Sequence, residues 1–81
     1  MNITVRFFAT LKDRVGASTI KIDVPVSVSV EDLLSTLIKE YPALEGSLSS
    51  TIVAVNQKFT TPDQTLTSSD EIVLFPPVSG G

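Results

Sequence analysis

The chain closes on Pro76-Pro77-Val78-Ser79-Gly80-Gly81, and its chemistry concentrates in that ending. Glycine lacks a Cβ and reaches backbone angles closed to other residues, so Gly80-Gly81 makes a narrow, adaptable terminus suited to a confined channel. The α-carboxyl of Gly81 is ionised at neutral pH and is a poor electrophile until ATP-driven coupling to AMP turns it into a mixed anhydride. Such a tail needs an activating enzyme. Pro76 and Pro77 lack a backbone N–H and hold φ near about −65°, so a preceding strand must stop there. The six residues from Pro76 to Gly81, at about 3.3 Å each, reach roughly 20 Å when extended, enough to enter another protein's active site. A frayed terminus or a cloning scar would carry the same two glycines.

The rest of the chain offers little competing chemistry. It has no cysteine and no histidine, which removes disulfides, thiolate nucleophiles, the usual zinc ligand sets and the imidazole behind most general acid–base catalysis. The formal net charge of −3 is the wrong sign for a nucleic-acid-binding surface. No apolar run approaches the roughly 20 residues that cross a bilayer, and no basic segment followed by an apolar one marks a secretory leader. The expectation is a cytoplasmic protein with neither nucleic acid nor membrane among its partners. A chain of 81 residues can close one small core, burying about 60% of its unfolded surface. That leaves little interior for a deep pocket, so an edge, a face or a terminus is the expected working part.

The elements that must hold the tail are legible in the hydrophobic pattern. Ile3, Val5 and Phe7 alternate with Asn2, Thr4, Arg6 and Phe8, the period of a half-buried strand. Thr10 to Val15 is compatible with a helical turn, Gly16 breaks it, and Ile20, Ile22 and Val24 alternate with Thr19, Lys21 and Asp23 as a second strand. Ser29 is placed to cap a helix with Glu31 and Asp32 in its first turn. The apolar stripe of Val30, Leu33, Leu34, Leu37, Ile38 and Tyr41 then runs to a stop at Pro42. Ala43 to Thr51 reads as a connector holding Leu44 and Leu48, Ile52 to Val55 as a strand, Asn56 to Asp70 as a turn-rich stretch, and Glu71 to Phe75 as the last strand.

Strand, strand, helix, strand, strand in so short a chain points to an α+β fold, with one main helix across one face of a mixed sheet. A β-grasp fits this order, although the hydrophobic pattern leaves the strand order open. The expected organisation is one domain over residues 1–75 and an extended tail over 76–81. Lys12, Arg14 and Lys58 read as solvated surface charges. Glu31, Asp32, Asp70 and Glu71 sit at turns and element starts, where capping accounts for them better than metal binding does.

With its flanks included, the ending Asp70-Glu71-Ile72-Val73-Leu74-Phe75-Pro76-Pro77-Val78-Ser79-Gly80-Gly81 closely resembles that of the MoaD-type sulfur carriers, the small subunits of molybdopterin synthase. Arg6-Phe7-Phe8-Ala9 near the start and Val55-Asn56-Gln57 in the later strand extend the resemblance over nearly the whole chain. The resemblance implies a ubiquitin-like β-grasp fold and a carrier that is non-catalytic alone. A ubiquitin-activator-like adenylyltransferase would use ATP to adenylate Gly81, and a sulfur donor such as a cysteine desulfurase or rhodanese would convert the adenylate to a thiocarboxylate. The domain itself would bind no cofactor and no metal. The tail would then enter the large synthase subunit, in a heterotetramer of two small and two large subunits, and donate sulfur to cyclic pyranopterin monophosphate to form the dithiolene of molybdopterin. Pro76, Pro77, Val78, Ser79 and Gly80 would form the inserted segment.

The family's hydrophobic docking surface carries over to Phe8, Phe59 and Phe75, and the strand alternation independently places Phe8 and Phe75 opposite the core, with Ile72 and Leu74 facing inward. The alternative for Phe59 is that its ring closes a minor core under the Asn56 to Asp70 loop. At the level of function, the rivals are a sulfur carrier for thiamine synthesis or tRNA thiolation, and a non-covalent ubiquitin-like binding module. The double proline after Phe75 favours the molybdopterin branch.

Overall fold

A computed structural model of the chain describes residues 1–46 and 51–76. The expectations placed on Leu48 and on Pro77, Val78, Ser79, Gly80 and Gly81 lie outside the described residues.

Strand β1, Asn2–Phe7, buries Ile3, Val5 and Phe7 on one face, as the alternation requires. Strand β2, Thr19–Asp23, runs antiparallel to it with Ile3 opposite Ile22 and Val5 opposite Ile20. Between them lies α1, Ala9–Val15, longer than the single turn expected from Thr10 to Val15. Only Leu11 of this helix is buried, and Gly16 ends it at φ 86°, its N–H donating to the Lys12 carbonyl at 2.8 Å. That left-handed closure suits glycine.

The main helix, α2, spans Val30–Glu40. Ser29 caps it, its Oγ accepting from the Asp32 N–H at 3.1 Å. Val30, Leu33 and Leu37 are buried, while Leu34, Ile38 and Tyr41 pack partly buried against the same core. This is one apolar stripe turned toward the sheet. Pro42–Leu44 follow as a 3-10 turn that buries Leu44.

Strand β3, Ile52–Val55, and strand β5, Glu71–Phe75, are antiparallel neighbours. Strand β5 also pairs parallel with β1, setting Val5 beside Ile72 and Phe7 beside Leu74. A two-residue strand, β4, Lys58–Phe59, folds back on β3. It lies inside the stretch read from the sequence as turn-rich, where no strand was expected. Asn56 and Gln57, which open the stretch read as turn-rich, form the turn of this hairpin, with φ of 52° and 70°.

The five-stranded sheet has the order β2-β1-β5-β3-β4, which supplies what the hydrophobic pattern left open. The mixed sheet with α2 across one face is a β-grasp. Leu66 anchors the loop before β5 in the core. The same loop is tied to the start of α2 by Val30 N–H to the Gln64 carbonyl at 3.0 Å and Leu66 N–H to the Val28 carbonyl at 2.8 Å. Among the described residues, no helix is long and apolar enough to cross a membrane.

Candidate functional site

The face of the sheet away from α2 carries the groups that the core leaves over. Side chains opposite one another across neighbouring strands share a face, and the register sets Arg6 beside Val73, Val73 beside Ala54, and Ala54 beside Phe59. One row therefore crosses β1, β5, β3 and β4. In its middle, Ala54 and Val73 are small and buried although they face away from the core. They floor a hollow of about 350 Å³ whose lining also includes Arg6, Phe8, Gln57, Phe59, Glu71 and Phe75.

Phe8 follows β1 directly. Its backbone is extended, and its N–H donates to the Leu74 carbonyl at 3.2 Å, so the ring is held beside β5 just before the chain turns into α1. The Phe8 and Phe75 rings stack, with centroids 5.0 Å apart and planes within 12°. Arg6 lies over Phe8, its Cζ 5.6 Å from the ring centroid. Its Nη1 is 3.9 Å from Glu71 Oε1, both side chains being half exposed. Solvent screening leaves that ion pair worth little in stability, but it fixes where the guanidinium sits over the ring.

Exposure differs among the three aromatics. Phe8 is 40% exposed and Phe59 81%, whereas Phe75 is half-buried. Phe59 therefore does not close a minor core under the loop; its backbone pairs with Ala54, which turns the ring to the outer face. Leu66 alone fills the core from that loop. The expected orientation of Phe8 and Phe75, opposite inward-facing Ile72 and Leu74, is the one observed. Pro76 follows Phe75, so the hollow lies at the root of the tail.

Beside the hollow, the turn is braced by polar contacts. Asn56 Nδ2 donates to Asp70 Oδ1 at 2.8 Å, and Asn56 Oδ1 accepts from the Glu71 N–H at 2.9 Å. Asp70 Oδ2 also accepts from the Thr67 N–H at 2.8 Å. That amide, aided by Asn56, holds the Asp70 carboxyl below the ordinary carboxylate range. Asp70 is thus a structural acid, as its place in a turn suggested, and Glu31 and Asp32 occupy the first turn of α2. Arg14 Nη1 donates to the Ala43 carbonyl at 3.3 Å. No cluster of three or more acidic, histidine or cysteine side chains that could hold a metal occurs among the described residues.

The arrangement suits adhesion: an apolar floor, three aromatic rings and a charged edge. Sequence reasoning missed Arg6, Ala54, Gln57, Glu71 and Val73 as lining residues. Arg6, Glu71 and Val73 share the outward phase of Phe8 and Phe75 along β1 and β5, which was the available signal.

Comparisons with known proteins agree with this geometry. The molybdopterin synthase sulfur carrier subunit of Dictyostelium discoideum is 38% identical over 80 residues, covering 95% of this chain and 93% of its relative. The crystal structure of SAMP1 from Haloferax volcanii superposes with a TM-score of 0.89 at 30% identity, covering 100% of both chains. A chain of the complex of subunits 1 and 2 of the molybdopterin-converting factor from Helicobacter pylori 26695 superposes with a TM-score of 0.72 at 28% identity, again over 100% of both chains. The family model described as the ThiS family matches residues 5–81, and the chain belongs to that family.

Proposed function

We propose that this chain is the sulfur carrier subunit of a molybdopterin synthase. One observation carries the reading: the apolar hollow is built around Phe75, the residue from which the tail departs. A partner that grips the hollow receives the tail in a fixed direction, which suits a carrier handed between two enzymes. The names of the Dictyostelium relative and of the Helicobacter complex support the same role and a large-subunit partner.

In this role Gly81 is adenylated with release of pyrophosphate, the persulfide of a sulfur donor displaces AMP at the carbonyl carbon to form an acyl disulfide, and a second thiol of the donor or activating enzyme cleaves its S–S bond, leaving the thiocarboxylate and a disulfide between the two enzyme sulfurs. Thiocarboxylate sulfur is a softer nucleophile than carboxylate oxygen, and tethering raises its effective concentration at the pyranopterin. Pro76 and Pro77 start the projecting segment, Val78 and Ser79 lengthen it, and Gly80 leaves clearance beside the reacting group. Phe8, Phe59 and Phe75 supply the docking contacts. The acid, base and substrate-binding groups belong to the large subunit, consistent with a body that has no histidine or cysteine.

The test is tandem mass spectrometry of the C-terminal peptide after incubation with ATP, the cognate adenylyltransferase and a sulfur source. Sulfur in place of one Gly81 carboxyl oxygen is the expected result; an unmodified carboxyl under conditions that consume ATP sinks the reading. The likeness to SAMP1 favours a second reading, attachment of Gly81 to acceptor proteins. The same incubation in cell extract distinguishes it by conjugates of higher mass.

A further inference from the structure

Two consecutive residues at the rim of the hollow have left-handed backbones, Asn56 at φ 52° and Gln57 at φ 70°. Val55 pairs with Lys58, so these two are the central residues of a two-residue hairpin turn with positive φ at both positions. Turns of this kind favour Asn first and Gly second. Asn56 meets that preference, and its side chain is fully used in binding Asp70 and the Glu71 amide. Gln57 does not. A long side chain at this φ is strained where glycine would be relaxed, and the Gln57 amide makes no hydrogen bond within the described residues.

The placement of that amide supplies the missing reason. Gln57 lines the apolar hollow together with Phe59 and Phe75, and also borders the polar notch formed with Asn56 and Glu71. It therefore sits where an apolar docking floor meets its polar rim, the region in which interfaces place their hydrogen bonds. A carboxamide both donates and accepts, so it matches a peptide group on the docked partner.

We propose that Gln57 is a specificity residue of the docking face, its side-chain amide bonding a main-chain peptide group of the large synthase subunit while strain in the turn is tolerated to present it. This rests on the carrier reading above. Local stability is given up at a position whose side chain serves nothing inside the fold.

The test titrates wild-type carrier, Gln57→Ala and Gln57→Gly into the cognate large subunit by calorimetry, alongside thermal melts of each carrier. Both variants are expected to bind about fivefold to tenfold more weakly, the worth of one interfacial hydrogen bond. Gln57→Gly is expected to melt about 4 °C or more higher by relaxing the turn, while Gln57→Ala keeps the strained backbone and gains nothing. Gln57→Ala binding as tightly as wild type overturns the proposal, and so does a Gln57→Gly carrier that is no more stable. Wild-type carrier that fails to bind the large subunit sinks the carrier reading and this inference together, whereas tight wild-type binding with equally tight variants sinks this inference alone.

Discussion

The ring of Phe75 lies against that of Phe8 with centroids 5.0 Å apart and planes within 12°. One ring belongs to the last residue of β5 and the other to the residue that follows β1, so the parallel pairing of these two strands ends in an aromatic clamp. Stacked pairs contribute about 0.5–1.5 kcal/mol beyond their buried area. The clamp fixes the side chain of Phe75 and shapes one wall of the hollow.

Phe75→Ala is expected to weaken binding to the large subunit about tenfold or more, as the loss of a central aromatic anchor does. Phe8→Ala should act in the same direction, and the double variant should lose less than the sum of the two because the rings support each other. Titration calorimetry over this cycle checks it. Unchanged affinity in Phe75→Ala would remove that ring from the docking contacts.

A single residue added after Gly81 is expected to abolish sulfur transfer while leaving the melting temperature and the affinity for the large subunit close to wild type. The hollow and the core are untouched by such an extension, and only the reacting carboxyl is displaced. A synthase assay with the extended carrier measures this, and full activity would count against chemistry at the Gly81 carboxyl.

Asp70 links acid stability to the hairpin. Its carboxyl is held below the ordinary aspartate range by the Thr67 amide first and Asn56 next. A depressed folded-state value means that the contribution is complete above the unfolded value and is lost as pH falls through the folded one. The stability difference between wild type and Asp70→Asn should therefore be present at pH 7 and shrink as pH drops below about 4. Urea melts across that range test it; a difference that grows toward acid would contradict the assignment.

Leu37, on the inward face of α2, is completely buried. Leu37→Ala should cost about 2–5 kcal/mol through lost burial and the cavity left behind, read as a lower midpoint in urea. A change under about 1 kcal/mol would mean that the core collapses around the gap.

Much of this architecture was legible because β1, β2, β5 and α2 each carry a complete period of apolar residues. Ile3, Val5 and Phe7 declare a strand face, and Val30, Leu33 and Leu37 a helix face, without help from distant parts of the chain. Strand β4 could not be read in this way: Lys58 and Phe59 are too few to show alternation, and they form a strand only because the Asn56-Gln57 turn lays them along β3. The site divides similarly. The outward aim of Phe8 and Phe75 follows from alternation alone, but the burial of Ala54 and Val73 depends on which strands lie side by side. That relationship is set by long-range pairing, which no local pattern encodes.

Strand β5 lies in the interior of the sheet, with β1 on one side and β3 on the other, and Pro76 continues from it. A pull along the axis of β5 therefore loads the hydrogen bonds on both its edges together, in shear, instead of peeling them apart one at a time.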